Sequence, residues 1–348
     1  MKTVYVGLSG GVDSSTSAAL LKAQGYNVVG VYMKNWTADV AGVACPWKQD
    51  LADARAAAAA LDIPFKVFDF QAEYKQYVVD AMVAEYKSGR TPNPDVLCNQ
   101  HIKFDLFLRT ALADGADLIA TGHYARSEND RLYTAADKNK DQSYFLYRLT
   151  PAALKRTIFP LAALTKPEVR RLAAEFGLPT AKKPDSQGIC FVGEVGLREF
   201  LQQYLEPAPG PVVLAVTGET LGTHTGAEFY THGQRHGLGI GGGTPYYVTR
   251  TDVATGTVYV TTDPADLELT TDRFELTSPH WINEPPEPGA AYHIRTRYRA
   301  ALIPGALTLT TGGHYSVQLE RPERAVTPGQ SAVIYGQDGH VLGGGIIA

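Results

Sequence analysis

The sequence predicts an α/β fold: a doubly wound parallel sheet of the PP-loop, adenine nucleotide hydrolase-like kind with a helical extension, then two small β-rich domains, the last a β-barrel. Three observations predict it. Short apolar runs alternate with helix-like stretches through the first 121 residues, a glycine- and serine-rich break follows the first run, and beyond residue 206 the chain becomes Thr, Val and Tyr runs broken by glycine.

Residues 4–8 read as a buried strand and 13–24 as the helix after it. Residues 28–33 form a second strand, the alanine-rich 50–61 a helix, 65–70 a third strand and 73–87 a helix. A Pro/Asn loop over 91–99 precedes a helix over 102–113 and a strand over 118–121. In such a sheet ligands bind beyond the carboxyl ends of the strands, where the glycine-rich break lies. From 143 to 204 the pattern is mainly helical; the stretch 166–176 is apolar at Val169, Leu172, Ala173 and Phe176 and is stopped by Gly177 and Pro179. The run Glu206-Pro207-Ala208-Pro209-Gly210-Pro211 marks a domain boundary, and a weaker break lies over 279–288. The expected units are therefore 1–205, 206–278 and 279–348, the last barrel-like from Tyr292 to Ile347.

A chain of 348 residues is too long for one ordinary core. With 44% hydrophobic residues, a mean hydropathy of −0.15 and no apolar run of membrane-spanning length, the composition is that of a soluble protein. The first strand begins at once, leaving no room for a leader peptide. Three cysteines, Cys45, Cys98 and Cys190, make no extracellular framework, so a reducing, cytoplasmic location is expected. The net charge of −4 excludes indiscriminate nucleic-acid binding. Residues 138–205, however, hold eleven Lys/Arg against six Asp/Glu. That is either a specific polyanion site or two solvated helix faces.

The break itself, Ser9-Gly10-Gly11-Val12-Asp13-Ser14-Ser15, has the chemistry of an anion cradle. Glycines let the backbone approach an oxyanion, serines add hydroxyl donors, and the following helix supplies unpaired N–H groups and the positive end of its dipole. The Gly-Lys-Ser/Thr ending of a Walker A loop is absent. Cys98, ahead of the helix at 102, and Cys190, near Lys182 and Lys183, sit in polar, bent stretches that favour thiolate over a packing role. Cys45, before Pro46-Trp47, reads as packing. Asp95 is a general base or an Asx turn, and Asp13 a loop- or metal-stabilising carboxylate or a helix cap.

The loop resembles the SGGxDS loop of the PP-loop ATP pyrophosphatases. With PNPDVLCN, ATGHYAR, KDQSYFLY, KKPDSQGICFVG, GQRHGLGIGG, TRYR, PGQSAV and a terminal GGGII in order, the whole chain resembles the bacterial tRNA-specific 2-thiouridylase family. PNPDVLCN and DSQGICF are the discriminating motifs.

The resemblance implies ATP binding over Gly7, Leu8, Ser9, Gly10, Gly11, Val12, Asp13 and Ser14, with Met33 and Gly122 on the adenine side and Mg²⁺ accompanying the phosphates. It implies that the 2-oxygen of the wobble uridine attacks the α-phosphate, and that Cys190, loaded as a persulfide by a sulfur-donor protein, delivers sulfur to C2. Cys98 then frees that sulfur, through a disulfide with Cys190 or otherwise, and Asp95 acts as base or orients the uracil. A base in an anticodon stack must be swung out before C2 is reachable, so extensive RNA contacts are required. Those carried over by motif are Asn93, Pro94, Asp95, His123, Lys140, Asp141, Gln142, Arg297, Tyr298 and Gln330. An iron–sulfur cluster on Asp95, Cys98 and Cys190 is the competing sulfur carrier. An ATP-dependent amide ligase on the same loop and a non-catalytic RNA-binding protein are the competing functions. A monomer and no membrane association are expected.

Arg295, Arg297 and Arg299 alternate, which on a strand would line one face against successive phosphates. Residues 237–243 read as a glycine hinge rather than a dinucleotide fingerprint, and His232 and His236 lack a zinc-site context.

Overall fold

In the computed structural model the first apolar run is β1 (Thr3–Gly7), buried at Val4, Tyr5 and Val6. It pairs in parallel with β2 (Asn27–Lys34) on one side; β3 (Phe65–Asp69) extends the sheet beyond β2. On its other side lies β4 (Leu118–Ala120), and after the hairpin β5 (Arg126–Glu128) and β6 (Arg131–Tyr133) the short β7 (Thr157–Ile158) joins β4. The order β3-β2-β1-β4-β7 is a doubly wound sheet whose direction of winding reverses between β1 and β4. The structure describes residues 1–39, 42–43, 45–185, 196–206, 208–241, 243–287 and 289–348. Cys190 lies outside them.

The helix Val12–Ala23 packs against the sheet because its residues are small. Ala18, Ala19 and Leu21 are buried, and the hydroxyls of Ser15, Thr16 and Ser17 each bond the carbonyl four residues back, which satisfies buried polar groups without neighbours. The alanine-rich helix Trp47–Ala60 buries Ala54, Ala57 and Ala58.

Two expectations in this region are corrected. The stretch over 91–99 is not all loop: a helix begins at Pro94, runs to Leu97, continues with wider, π-type turns over Cys98–Leu106 and ends as Phe107–Ala113. Asn93 caps it, its Oδ1 accepting the Asp95 N–H at 3.2 Å, and proline at the first helical position fits the fixed φ there. Likewise the largely helical reading of 143–204 overlooks β7, the fifth strand of the sheet.

After the Pro-rich boundary, β8 (Gly210–Leu214), β9 (Thr220–His224), β10 (Tyr247–Asp252) and β11 (Thr257–Thr261) form a four-stranded sheet around Val212, Val248, Val258 and Val260. Then β12 (Thr270–Trp281), β13 (Tyr292–Arg295), β14 (Ile303–Leu309), β15 (Tyr315–Arg324), β16 (Ser331–Tyr335) and β17 (His340–Ile347) follow. Pairing runs β12-β15-β14-β13-β16-β17 and returns from β17 to β12, closing a six-stranded antiparallel barrel. Its core holds Leu276, Ile294, Leu307, Val317 and Ile334. The break expected at 278/279 falls inside β12, which belongs to the barrel along its whole length. The hairpin strand β6 pairs with the start of β17, at His340 and Val341, so one eight-stranded sheet crosses from the N-terminal region into the barrel.

Candidate active site at the winding reversal of the sheet

The serine–glycine loop leaves β1 at the point where the winding reverses. Ser14 Oγ accepts the Ser9 N–H at 3.1 Å, lies 3.2 Å from Ser9 Oγ and donates to Gly11 O at 3.2 Å. The loop is thus a closed ring of short polar contacts that sets its curvature before any ligand arrives. Gly10 adopts φ +77°, and a Cβ there would strike the Asp50 carbonyl. Gly122, just past β4, lies so close that a Cβ would stand 2.7 Å from Ser14 N. Met33, at the end of β2, covers Gly7, where a Cβ would meet its Cε at 2.9 Å. The sequence-predicted ATP residues Gly7–Ser14, Met33 and Gly122 therefore converge on one locality.

Asp13 does not cap the helix; Gly11 holds the cap position. Its Oδ1 accepts from Tyr124 Oη at 2.8 Å, and both its oxygens accept from Lys166 Nζ at 2.7 Å. Lys166 also reaches Asp185 at 2.8 Å, and Asp185 accepts from Lys140 and Arg170, each at 2.6 Å. Burial would raise the Asp185 pKa, but the bonds from Lys140 and Lys166 outweigh it and bring it down to about 2. Lys183 pairs with Asp50 and Asp53 at 2.8 and 2.5 Å. Part of the basic excess over 138–205 is therefore compensated: Lys140, Lys166, Arg170 and Lys183 pair with four carboxylates, Asp13, Asp50, Asp53 and Asp185, three of them from outside the segment.

The Asn93–Cys98 platform is held from several sides. Thr91 N–H donates to Pro328 O at 3.0 Å, and Gln330 Nε2 donates to Thr91 O at 2.8 Å and Pro92 O at 3.3 Å. Tyr144, hydrogen-bonded to the Asn93 side chain, donates to Ser331 O at 2.8 Å. Burial raises the Asp95 pKa above the usual carboxylate range, against the opposing charge of Lys103. Cys98 is buried one turn further along the helix, beyond its first turn rather than ahead of it. Phe104 of the same helix packs on His123 at 5.6 Å between ring centroids, so the helix abuts the residues that follow β4.

The RNA-contact candidates separate by environment. His123 is buried, its Nδ1 2.8 Å from Thr121 Oγ1; burial first, and nearby Lys103, hold its pKa well below the ordinary value, so the ring is neutral. Asp141 is buried and accepts from Ala135 N, Ser143 and Arg295, while Gln142 Oε1 accepts from Tyr124 N. Tyr298 rests on Phe145 at 4.5 Å. Lys138, Lys140, Asp141, Arg295 and Arg299 line a recess of about 430 Å³ between the N-terminal region and the barrel. The shared arginine face is corrected: β13 ends at Arg295, whose guanidinium is buried on Asp141 at 3.1 Å, Arg297 is half exposed, and Arg299 takes φ +63° in a turn.

Cys45 lies at the entrance of helix Trp47–Ala60; burial, with Asp39 and Asp50, raises its pKa against the Trp47 N–H, which keeps it a thiol. His232 bonds the carbonyls of Val326 and Glu268, and among the described residues no three His, Cys, Asp or Glu side chains converge on a metal position. Sequence reading missed Tyr124, Tyr144 and Lys166. Tyr124 follows two residues after the Gly122 that packs on the loop, a spacing that could have flagged it; Lys166 carries no local signal.

A parallel sheet that reverses at a serine–glycine loop, with glycines where backbone meets backbone, defines a PP-loop nucleotide-binding enzyme domain joined to two small β domains. A family profile described as tRNA methyl transferase HUP domain matches residues 2–194, one described as tRNA methyl transferase PRC-barrel domain matches 198–262, and an aminomethyltransferase beta-barrel profile matches 271–347. The chain is 48% identical over 358 residues to the tRNA-specific 2-thiouridylase MnmA of Ralstonia nicotianae, covering 100% of this chain and 96% of that one. It is 51% identical over 351 residues to the protein of that name from Neisseria meningitidis serogroup C, covering 99% and 95%. The chain belongs to the tRNA-specific 2-thiouridylase family.

Proposed function

We propose that the chain replaces the 2-oxygen of the wobble uridine of tRNA with sulfur, consuming ATP. The observation that carries this reading is the shared wall after β4: Gly122 backs the serine–glycine loop while His123 backs the helix that bears Asp95 and Cys98. A nucleotide in the loop and a base on the Asn93-Pro94-Asp95 platform would then meet at adjacent positions.

In this reading the uridine 2-oxygen attacks the α-phosphate of ATP and diphosphate departs, which turns a poor leaving group into AMP. Loop N–H groups with Ser9 and Ser14 meet the charge that develops on the diphosphate. Asp95, with its raised pKa, takes a proton from the base, and Asn93 is held in place by Tyr144 to orient the ring. The terminal sulfur of a Cys190 persulfide, loaded by a donor protein, attacks C2 and AMP leaves. The Cys98 thiolate then attacks Cys190 Sγ, forming the Cys98–Cys190 disulfide and releasing the thiolated base; an external dithiol reduces the pair. Lys140, Arg297 and Tyr298 belong to the surface that holds the RNA, while Gln330 acts on the platform through the Thr91 and Pro92 carbonyls.

Among the described residues Lys166 engages both oxygens of Asp13, Tyr124 also engages Oδ1, and no three His, Cys, Asp or Glu side chains converge, so these side chains offer no preformed Mg²⁺ ligand set, and no step is drawn through one. Anaerobic purification with iron and sulfide analysis, then single-turnover thiolation with a persulfide donor, separates the persulfide route from a cluster. Cys190→Ala is expected to abolish thiolation while tRNA-dependent diphosphate release persists. Ammonia-dependent AMP release without RNA would instead establish the ligase reading.

A further inference from the structure

Loops that cradle nucleotide phosphates commonly carry their own lysine, and residues 9–15 contain no basic side chain. The fold brings one in from elsewhere. Lys166, distant in sequence, places its ammonium 2.7 Å from both oxygens of Asp13, the second residue of the helix whose N-terminus closes the loop. We propose that Lys166 is the phosphate-binding lysine of this site, taking the β,γ-diphosphate end of a nucleoside triphosphate. The proposal rests on the reading that ATP occupies the serine–glycine loop.

Three features of its surroundings support that role. Its backbone is fixed: Lys166 opens the helix Lys166–Glu175, its N–H donates to Asp137 Oδ2 at 2.9 Å, and Thr165 and Glu168 form a capping box, so the flexible side chain swings from an anchored Cα. Its side chain is 11% exposed, so a phosphate contact there is poorly screened by water. Finally, the ion pairs that hold the ammonium also involve other donors: Asp13 keeps Tyr124 Oη, and Asp185 keeps Lys140 and Arg170. Transfer of Lys166 to a phosphate therefore strands neither carboxylate. Lys183 is the rival cation, since its partner Asp50 touches Gly10 through the backbone. Lys183 is the only ion-pair partner of Asp50 and Asp53 among the described residues, so moving it would leave both without a cation, Asp53 keeping only the Gln49 amide at 2.8 Å.

Calorimetric titration of the full chain with α,β-methylene-ATP and with AMP, without RNA or sulfur donor, tests the assignment. Lys166→Met is expected to weaken the triphosphate analogue about tenfold or more and AMP less than about twofold, as loss of one charge-assisted phosphate contact requires. Lys166→Arg is expected to restore the analogue to within about fivefold, and Lys183→Met to cost less than Lys166→Met. Equal weakening of analogue and AMP would reduce Lys166 to a structural ion pair, and an unchanged analogue affinity would remove it from the site. Should Lys166→Met not fold, Lys166→Gln takes its place. Failure of the unaltered protein to bind the analogue would refute the ATP reading itself, a result separate from any effect of the substitution.

Discussion

Gln330, at the foot of β16, donates its side-chain amide to the carbonyl oxygen of Thr91 at 2.8 Å, so the barrel grips the strand of chain that leads into Asn93 and Asp95. The adjacent Gly329 is packed so tightly that a Cβ would lie 2.8 Å from Thr91 N. The C-terminal barrel thus holds the segment that, in the proposed reading, forms the platform for the base.

Gln330→Ala removes this grip and leaves two carbonyls to water. Thiolation kcat is expected to fall while affinity for a triphosphate analogue stays within about twofold, with a stability cost of about 1 kcal/mol. Parallel single-turnover and calorimetric measurements check this; a matching drop in nucleotide affinity would mean that the barrel supports the whole site and not the platform alone.

Two arginines two residues apart should behave oppositely. Arg297 is half exposed and lies 3.7 Å from Glu323, so Arg297→Ala should weaken tRNA binding and reduce the salt slope by about one counterion with little effect on Tm. Arg295 is largely covered where it pairs with Asp141, so Arg295→Ala leaves that buried carboxylate with the neutral donors Ala135 and Ser143 and should cost about 3 kcal/mol of stability. Filter binding across salt concentrations and thermal melts distinguish them.

Asp95 must be ionised to accept a proton, and burial holds its pKa above the ordinary carboxylate range. Single-turnover thiolation is therefore expected to decline as pH falls through that raised pKa, above about pH 4. Asp95→Asn should lower the rate and flatten this limb. If the limb survives the substitution, another group titrates.

The sign is reversed for Asp185, whose folded pKa of about 2 lies below its ordinary 3.8. Its stabilising contribution is complete above the unfolded value and disappears as pH falls toward the folded one. Asp185→Asn should cost about 1–2 kcal/mol near neutrality, and the gap from the unaltered protein should close between about pH 4 and pH 2. Denaturant melts at stepped pH measure it; a constant gap would place its effect in packing.

Much of the nucleotide half could be read in advance because its signals are local. A buried apolar run followed by Ser9, two glycines and a helix of small residues that carries Ser14 and Ser15 in its first turn dictates a strand–cradle–helix unit wherever it occurs. The start of the Cys98 helix is equally local, since Asn93-Pro94 is an N-cap followed by proline at the first helical position, but the same pair also marks turns, so sequence alone does not separate the two. What could not be read were long-range juxtapositions. Nothing near Lys166 announces Asp13, and the alternation of Arg295, Arg297 and Arg299 mimics a strand that in fact ends at Arg295, where pairing with Val333 stops. The compensation of part of the positive charge over 138–205 was illegible for the same reason, because Asp13, Asp50 and Asp53, which pair with Lys166 and Lys183, are remote in sequence.

The hairpin β5–β6 has a consequence for how the molecule can be divided. Because β6 completes its hydrogen bonding on β17, excising the barrel would bare a strand edge within the N-terminal region, and Tyr144 and Arg148 would lose their acceptors at Ser331 and Ser278. An N-terminal fragment cut near residue 270 would be prone to self-association, and the two ends of the chain should melt together in one transition.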